Sequence, residues 1–227
     1  YNLLLLYCLL KFIFMRTFWV FAFLINFTSI YSQQIAILHY NGGGDWYANP
    51  TALPNLVDFS NNNTNTKIDK NIPSVLPTDE TIYNYPILFV TGHGNIFFTD
   101  DDVTTLRNYL TSGGFLHISD NYGLDKYIRR ELTKVFPELT LQELPITHPI
   151  YHQTFSFPKG LPKIHEHNKK KPQGFGLFYK GKLIVFYDYE SDLNDGWEDS
   201  EIHNNSKETR LKALKMGANI IEYAFKY

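Results

Sequence analysis

Residues 87–121 read ILFVTGHGNIFFTDDDVTTLRNYLTSGGFLHISDN, and this stretch decides the fold. Ile87 to Val90 is fully apolar, the pattern of a strand buried on both faces of a parallel sheet. A helix follows whose start is legible: Thr99 can cap the free amides, Asp100 to Asp102 complement the positive end of the dipole, and Val103, Leu106 and Leu110 recur on one face. Gly113-Gly114 ends it, and Phe115 to Ile118 is the next strand. Working outward, a second helix carries Ile128, Leu132, Val135 and Phe136 until Pro137 stops it. Upstream, Ile35 to Tyr40 reads as a buried strand and Asn49 to Phe59 as a helix starting after Pro50, with Leu53, Leu56, Val57 and Phe59 on its apolar face. Asn61 to Asn65 reads as a surface loop, and Lys67 to Val75 as a weak extended piece. Strand, helix, strand, helix with short joints predicts a doubly wound α/β domain with a mostly parallel sheet.

The C-terminal half adds a β-hairpin, Phe175 to Tyr179 and Leu183 to Tyr187, joined through Lys180-Gly181-Lys182 and expected at the sheet edge. A final helix, Lys207 to Phe225, places Leu211, Leu214, Ala218, Ile221 and Phe225 on one stripe. At the other end, residues 1–32 contain no acidic residue. Met15-Arg16, the apolar run Phe18 to Phe27 and Thr28 to Ser32 have the layout of a secretory signal preceded by upstream residues. The alternative is a retained N-terminal membrane anchor. Residues 33–227 then form a single α/β domain, exported and either periplasmic or anchored facing the periplasm. Cys8, the one cysteine, lies in the leader, which removes disulfides and thiolate catalysis from the remainder. The chain carries 21 Lys and Arg against 23 Asp and Glu, without a basic patch interleaved with aromatics, so nucleic acid is not an expected partner.

Polar clusters follow the predicted strands: Asn41-Gly42-Gly43-Gly44-Asp45-Trp46, Thr91-Gly92-His93-Gly94-Asn95, Ser119-Asp120-Asn121 and Tyr189-Glu190-Ser191-Asp192. Ligands of open α/β sheets bind beyond the carboxyl ends of the strands, so these loops predict one polar pocket. His93, between glycines, can shuttle a proton near neutral pH; Asp120, at a strand-to-helix bend, can act as a general base or instead serve as a turn or helix cap. These two are the candidate catalytic residues. Asp45, Trp46, Asn121, Asp192, Trp197 and Glu198 are candidate ligand contacts, with carboxylates for hydroxyls and tryptophan for a sugar face. His165 and His167, two apart in an extended segment, can meet one divalent metal ion, with a third ligand from His93, Asp120 or Asp192. Gly42-Gly43-Gly44 lacks both the P-loop ending and the dinucleotide spacing, so no nucleotide cofactor is expected. A small molecule or glycan is the expected ligand, and a purely structural module the outcome if these loops are only solvated.

The motifs GGGDWYANP, TGHGN, DNYG, FPKGLPKIHEH, QGFGLF and YESDLNDGWED resemble the bacterial family called domain of unknown function 4159 over essentially all of residues 33–227. The segment Thr91 to Asn121 also resembles the class I glutamine-amidotransferase-like fold, a flavodoxin-like doubly wound sheet in which the strand before the nucleophile elbow follows a Gly-Gly turn. Where that class has its cysteine, this chain reads His117-Ile118-Ser119-Asp120-Asn121, so the resemblance implies the fold without glutaminase chemistry. It also implies cell-envelope proteins as partners. A hydrolase acting on a glycan or other envelope substrate is the alternative to ligand recognition, with His93 or Asp120 activating water.

Overall fold

The computed structural model describes residues 33–227. Strands β1 (Ile35–Leu38), β2 (Ser74–Val75), β3 (Ile87–Gly92), β4 (Phe115–Asp120), β5 (Gln142–Glu143), β6 (Gln173–Tyr179) and β7 (Lys182–Tyr189) form one sheet in the order β2-β1-β3-β4-β7-β6-β5. The pairings from β2 through β7 are parallel, and β6 and β5 extend the sheet antiparallel. The hairpin is therefore not at the edge as expected: β5 lies outside its first strand, β6. Its second strand, β7, is interior and parallel to β4. Lys180 and Gly181, at φ 49° and 80°, make the two-residue turn with both residues left-handed that matches the twist of paired strands.

Helices α1 (Ala52–Asn63) and α5 (Lys207–Lys226) cover one face, against Ile35, Ile87, Phe89, Phe115 and Phe186. On the other face, α2 (Asp100–Thr111) and α3 (Asp125–Val135) pack on Ala36, Leu38, Leu88, Val90, Leu116 and Ile118. This alternation along every central strand is what the apolar runs encode, because both faces are covered by helices. Helix α4 (Ser200–His203) is a single turn. Among the described residues no helix is long and apolar enough to cross a membrane.

Thr99 caps α2 as its sequence predicts: its hydroxyl accepts from the Asp102 amide at 3.2 Å and the Asp102 carboxylate accepts from the Thr99 amide at 2.9 Å, a complete capping box. Two boundaries differ from the sequence reading. Helix α1 runs on through Asn61 to Asn63, and Asn61 closes the following turn by accepting from the Ile68 amide and donating to the Ile68 carbonyl. In α5 the buried face is centred on Ala213, Met216, Gly217, Ile220 and Tyr223; it takes in Ala218 and Ile221 of the expected stripe, with Leu214 and Phe225 packed against the core, while Leu211 is exposed. Gly217 explains the choice of centre. A Cβ there would stand 2.6 Å from Leu56 and 2.8 Å from Trp197, so its absence lets α1 and α5 approach.

One polar pair lies inside the apolar layers. His117 on β4 and Asp188 on β7 are both buried and 2.7 Å apart, with Ser119 donating to the other Asp188 oxygen at 3.0 Å. Burial opposes charge on each, depressing His117 to about 3 and raising Asp188 well above the ordinary carboxylate value. The pair thus holds one proton and no net charge.

Gly217→Ala is expected to lower stability by about 1–3 kcal/mol in urea unfolding, the overpacking penalty outweighing the helix-propensity gain of about 1 kcal/mol. Between pH 3.8 and 6.5, the ordinary values of the two groups, the unfolded pair also holds one proton, on the histidine, so it adds no slope to stability against pH. In Asp188→Asn the buried neutral histidine holds none while the unfolded one is protonated. Stability of that variant relative to wild type is expected to fall by about 1.4 kcal/mol per pH unit below 6.5, measured by denaturation across this range.

Candidate functional site

The four parallel strands β1, β3, β4 and β7 end at the same edge of the sheet, and each exit loop carries a polar group. After β1, Gly42 and Gly44 lie against the backbone of the loop after β3; a Cβ on either would stand 2.9 Å or less from the Asn95 carbonyl. The Gly44 amide donates to that carbonyl at 2.9 Å, and the Asn95 side chain donates to the Gly42 carbonyl at 2.9 Å. This close approach sets Asp45 beside His93. One carboxylate oxygen lies 2.9 Å from His93 Nδ1 and the other accepts from the His93 amide. Partial burial pushes the Asp45 carboxyl up, but the hydrogen bonds from the His93 amide and ring hold it below its usual value. Trp46 stacks on His39, with ring centroids 4.0 Å apart. The His93 loop is anchored from beneath by buried Glu131 of α3, which accepts from the Phe98 amide at 2.7 Å, and by Arg130, which donates to the Ile96 carbonyl at 2.8 Å.

At the exit of β4, Asp120 is buried and both its oxygens are occupied. One accepts from the amides of Tyr122 and Leu124, at 3.0 and 3.1 Å, and the other from the Tyr187 hydroxyl at 3.1 Å. Burial raises its pKa in spite of these bonds. Its work is the turn into α3, the capping role open to it from sequence. The turn forces Tyr122 to φ 80°, unusual for a side chain of that size, and leaves its ring exposed and stacked on His167 at 4.6 Å.

The exit of β7 holds the densest group. Asp195, in the turn Leu193–Gly196, places one oxygen 3.0 Å from His165 Nδ1 and the other 3.6 Å from His203 Nε2. The second oxygen also accepts from Asn49 Nδ2 at 2.7 Å. Asp192, 1% exposed and at φ 55°, points one oxygen to 3.1 Å from His167 Nε2, off the line of a hydrogen bond and with no other partner. Burial, followed by the charges of Asp195, Asp188 and Asp120, pushes its carboxyl up to about 8. The His165 and His167 rings lie 5.7 Å apart, and those of His165 and His203 5.5 Å. The loop bearing His165 and His167 is pinned to β7: Lys163 and Asn168 both donate to Glu190, at 3.1 and 2.7 Å, and the Ile164 amide donates to the Ser191 carbonyl at 2.9 Å.

These loops are joined by a polar chain running inward. Asn121 Nδ2 reaches Asn49 Oδ1 at 3.4 Å, Thr91 donates to Asn121 Oδ1 at 3.2 Å, and Asn194 donates to the Thr91 hydroxyl. Asn194 in turn lies 3.3 Å from Ser119, which bonds Asp188. Asp195 at the rim is thereby linked to the His117–Asp188 pair in the core.

Of the residues singled out from sequence, His165 meets Asp195 and His203, His167 meets Asp192, and His93 meets Asp45. Asn121 is a buried link rather than a surface contact. Trp197 is fully buried and donates to the Ala213 carbonyl at 2.9 Å, so neither ring face is open to a ligand. Glu198 is buried too and accepts from the amides of Thr51 and Ala52, at 3.0 and 3.1 Å, closing the N-terminus of α1. Asn49, Asp195 as a partner of histidine, and His203 were not among the residues selected. Nothing in their spacing marks them, since they meet His165 only through tertiary folding.

No curated protein sequence matches this chain. The model of a family described as a domain of unknown function, DUF4159, matches residues 34–225, which takes in all four strand-end loops. The chain belongs to the DUF4159 family.

Proposed function

We propose that the protein is an exported, envelope-associated binding protein that uses the strand-end loops to recognise a small hydroxylated ligand such as a glycan fragment, and that it is not a glutaminase. The observation that carries this reading is the repeated pairing of an accessible imidazole with a more buried carboxylate: His93 with Asp45, His165 with Asp195 and His167 with Asp192. Each pair fixes the orientation of a ring whose far edge is free to donate or accept, and the exposed rings of Tyr122 and Tyr47 offer apolar faces beside them. The absence of a thiol at the β4 exit supports the exclusion of glutamine hydrolysis.

A second reading, hydrolysis of a glycan or other envelope substrate, is favoured by His167. Burial and the neighbouring His165 lower its pKa, so at neutral pH it is an unprotonated base, its Nε2 3.1 Å from Asp192.

The test is a thermal-shift panel of mono- and disaccharides and peptidoglycan fragments on the purified chain. A cognate ligand at a hundredfold its Kd stabilises by about 2.7 kcal/mol, expected to raise Tm by about 5–10 °C. Tyr122→Ala and His93→Ala should each abolish the shift while leaving the unliganded Tm nearly unchanged. A flat panel, or a shift retained in both variants, overturns the reading. Release of a reducing sugar by wild type but not by His167→Ala would establish the hydrolytic alternative. Cell fractionation checks export: the domain is expected in the periplasm or membrane fraction, and recovery from cytosol alone is the contrary result.

A further inference from the structure

We infer that His165, Asp195 and His203 form a binding site for a divalent transition-metal ion of the zinc class. The three offer one ligand atom each within 4.8 Å of one another. Tetrahedral zinc with bonds of about 2.0–2.2 Å holds neighbouring donor atoms about 3.3–3.6 Å apart. Asp195 faces both rings, one oxygen 3.0 Å from His165 Nδ1 and the other 3.6 Å from His203 Nε2, so the three groups converge closely enough for small side-chain rotations to admit an ion.

Three further observations point to a cation rather than to a hydrogen-bonded cluster. First, His203 Nε2 is sealed from solvent and has no hydrogen-bond partner; 3.6 Å to Asp195 is too long for one. A lone pair directed at a metal satisfies it. Second, Asp192 beside His167 is also buried with an oxygen lacking a partner, immediately before the turn that carries Asp195. Third, Asp120, Asp188, Asp192 and Asp195 are all buried at this end of the sheet, while the nearby Lys163 is committed to Glu190. Among the described residues no lysine or arginine pairs with Asp195, and a dication supplies its counter-charge.

The support around the donors is of the kind metal sites use. Asn49 holds the Asp195 carboxylate by a 2.7 Å hydrogen bond, and Asn205 Nδ2 donates to the Asp195 carbonyl at 3.3 Å, tying the turn to the segment just after His203. Two imidazoles with one carboxylate select zinc, cobalt or nickel over magnesium or calcium, which take oxygen ligands. Three protein ligands leave a position open, the arrangement of sites that bind substrate or water at the metal. The ligand set departs from the pairing of His165 with His167 expected from sequence: the second imidazole within reach of Asp195 is that of His203, while His167 lies against Asp192.

This assignment shares its location with the proposed ligand site but does not depend on a sugar being the ligand. The full chain, stripped with a chelator and dialysed, is titrated with Zn²⁺ by calorimetry and, in parallel, with Co²⁺ by visible spectroscopy. One equivalent should bind with a submicromolar Kd, and Co²⁺ should give the intense absorption of a four- or five-coordinate site. His203→Ala and His165→Ala should each weaken Zn²⁺ at least a hundredfold, whereas His152→Ala, away from the cluster, should leave it unchanged. Metal-free Tm of each variant identifies any that fail to fold, and His203→Gln provides a second test at that position. Absence of saturable binding to wild type, or affinity within threefold of wild type in folded His165 and His203 variants, overturns the assignment. Metal binding without any shift in the sugar panel retains the metal site and removes the glycan reading; a sugar shift on metal-free, Zn²⁺-indifferent protein does the reverse.

Discussion

Removal of carboxylates from water at one end of the sheet is the constraint on which the loops depend. Asp120, Asp188, Asp192 and Asp195 are all buried there, and a buried carboxyl must find donors, take a proton or sit beside a cation. Asp120 finds two amides and a tyrosine, and thereby sets the turn into α3. Asp188 shares a proton with His117. Asp195 draws in His165, 30 residues earlier in the chain, and Asn49, 146 residues earlier. Asp192 alone keeps an oxygen without a partner, and it does so in a left-handed backbone conformation. The solutions differ because the strands fix where each carboxyl emerges while the surrounding loops supply what each can reach.

The parallel sheet, the two helical layers and the location of the polar loops were legible in the sequence, since each rests on local pattern. Apolar runs such as Ile87 to Val90 report burial on both faces, and Thr99 with Asp102 reports a helix start within four residues. What could not be read depends on distant partners. Trp197 and Glu198 look like surface chemistry in an acidic loop, yet one fills the space opened by Gly217 and the other caps a helix lying nearly 150 residues earlier. His203 has no local signature; it matters because α4 folds back over Asp195. Of the stripe on α5, Leu211 alone has the right period and stays exposed, since the closest packing lies further along at Gly217.

Membership of DUF4159 covers the same loops that carry the unusual composition, so the glycine run, the His93 loop, the β4 exit and the histidine loop form one structural unit. Their roles are divided. Gly42, Gly44, Asp120, Asn121 and Glu198 build the frame, and His93, His165, His167 and Tyr122 are the groups it presents to solvent. The absence of a local signature for His203 shows why composition alone identifies the frame better than the chemistry.

The cap that Glu198 provides for α1 also sets an order of events during synthesis. The amides of Thr51 and Ala52 have no side-chain acceptor from their own neighbourhood, since Thr51 makes no cap bond, and their acceptor is separated from them by 147 and 146 residues. Closing a loop of that length is slow and entropically costly until the intervening strands are in place. A nascent chain that has not yet produced Glu198 therefore carries α1 with an open end and without the α5 surface on which Leu53, Leu56 and Val57 are buried. Helix α1 therefore gains its cap and its apolar cover only when the segments bearing Glu198 and α5 join it.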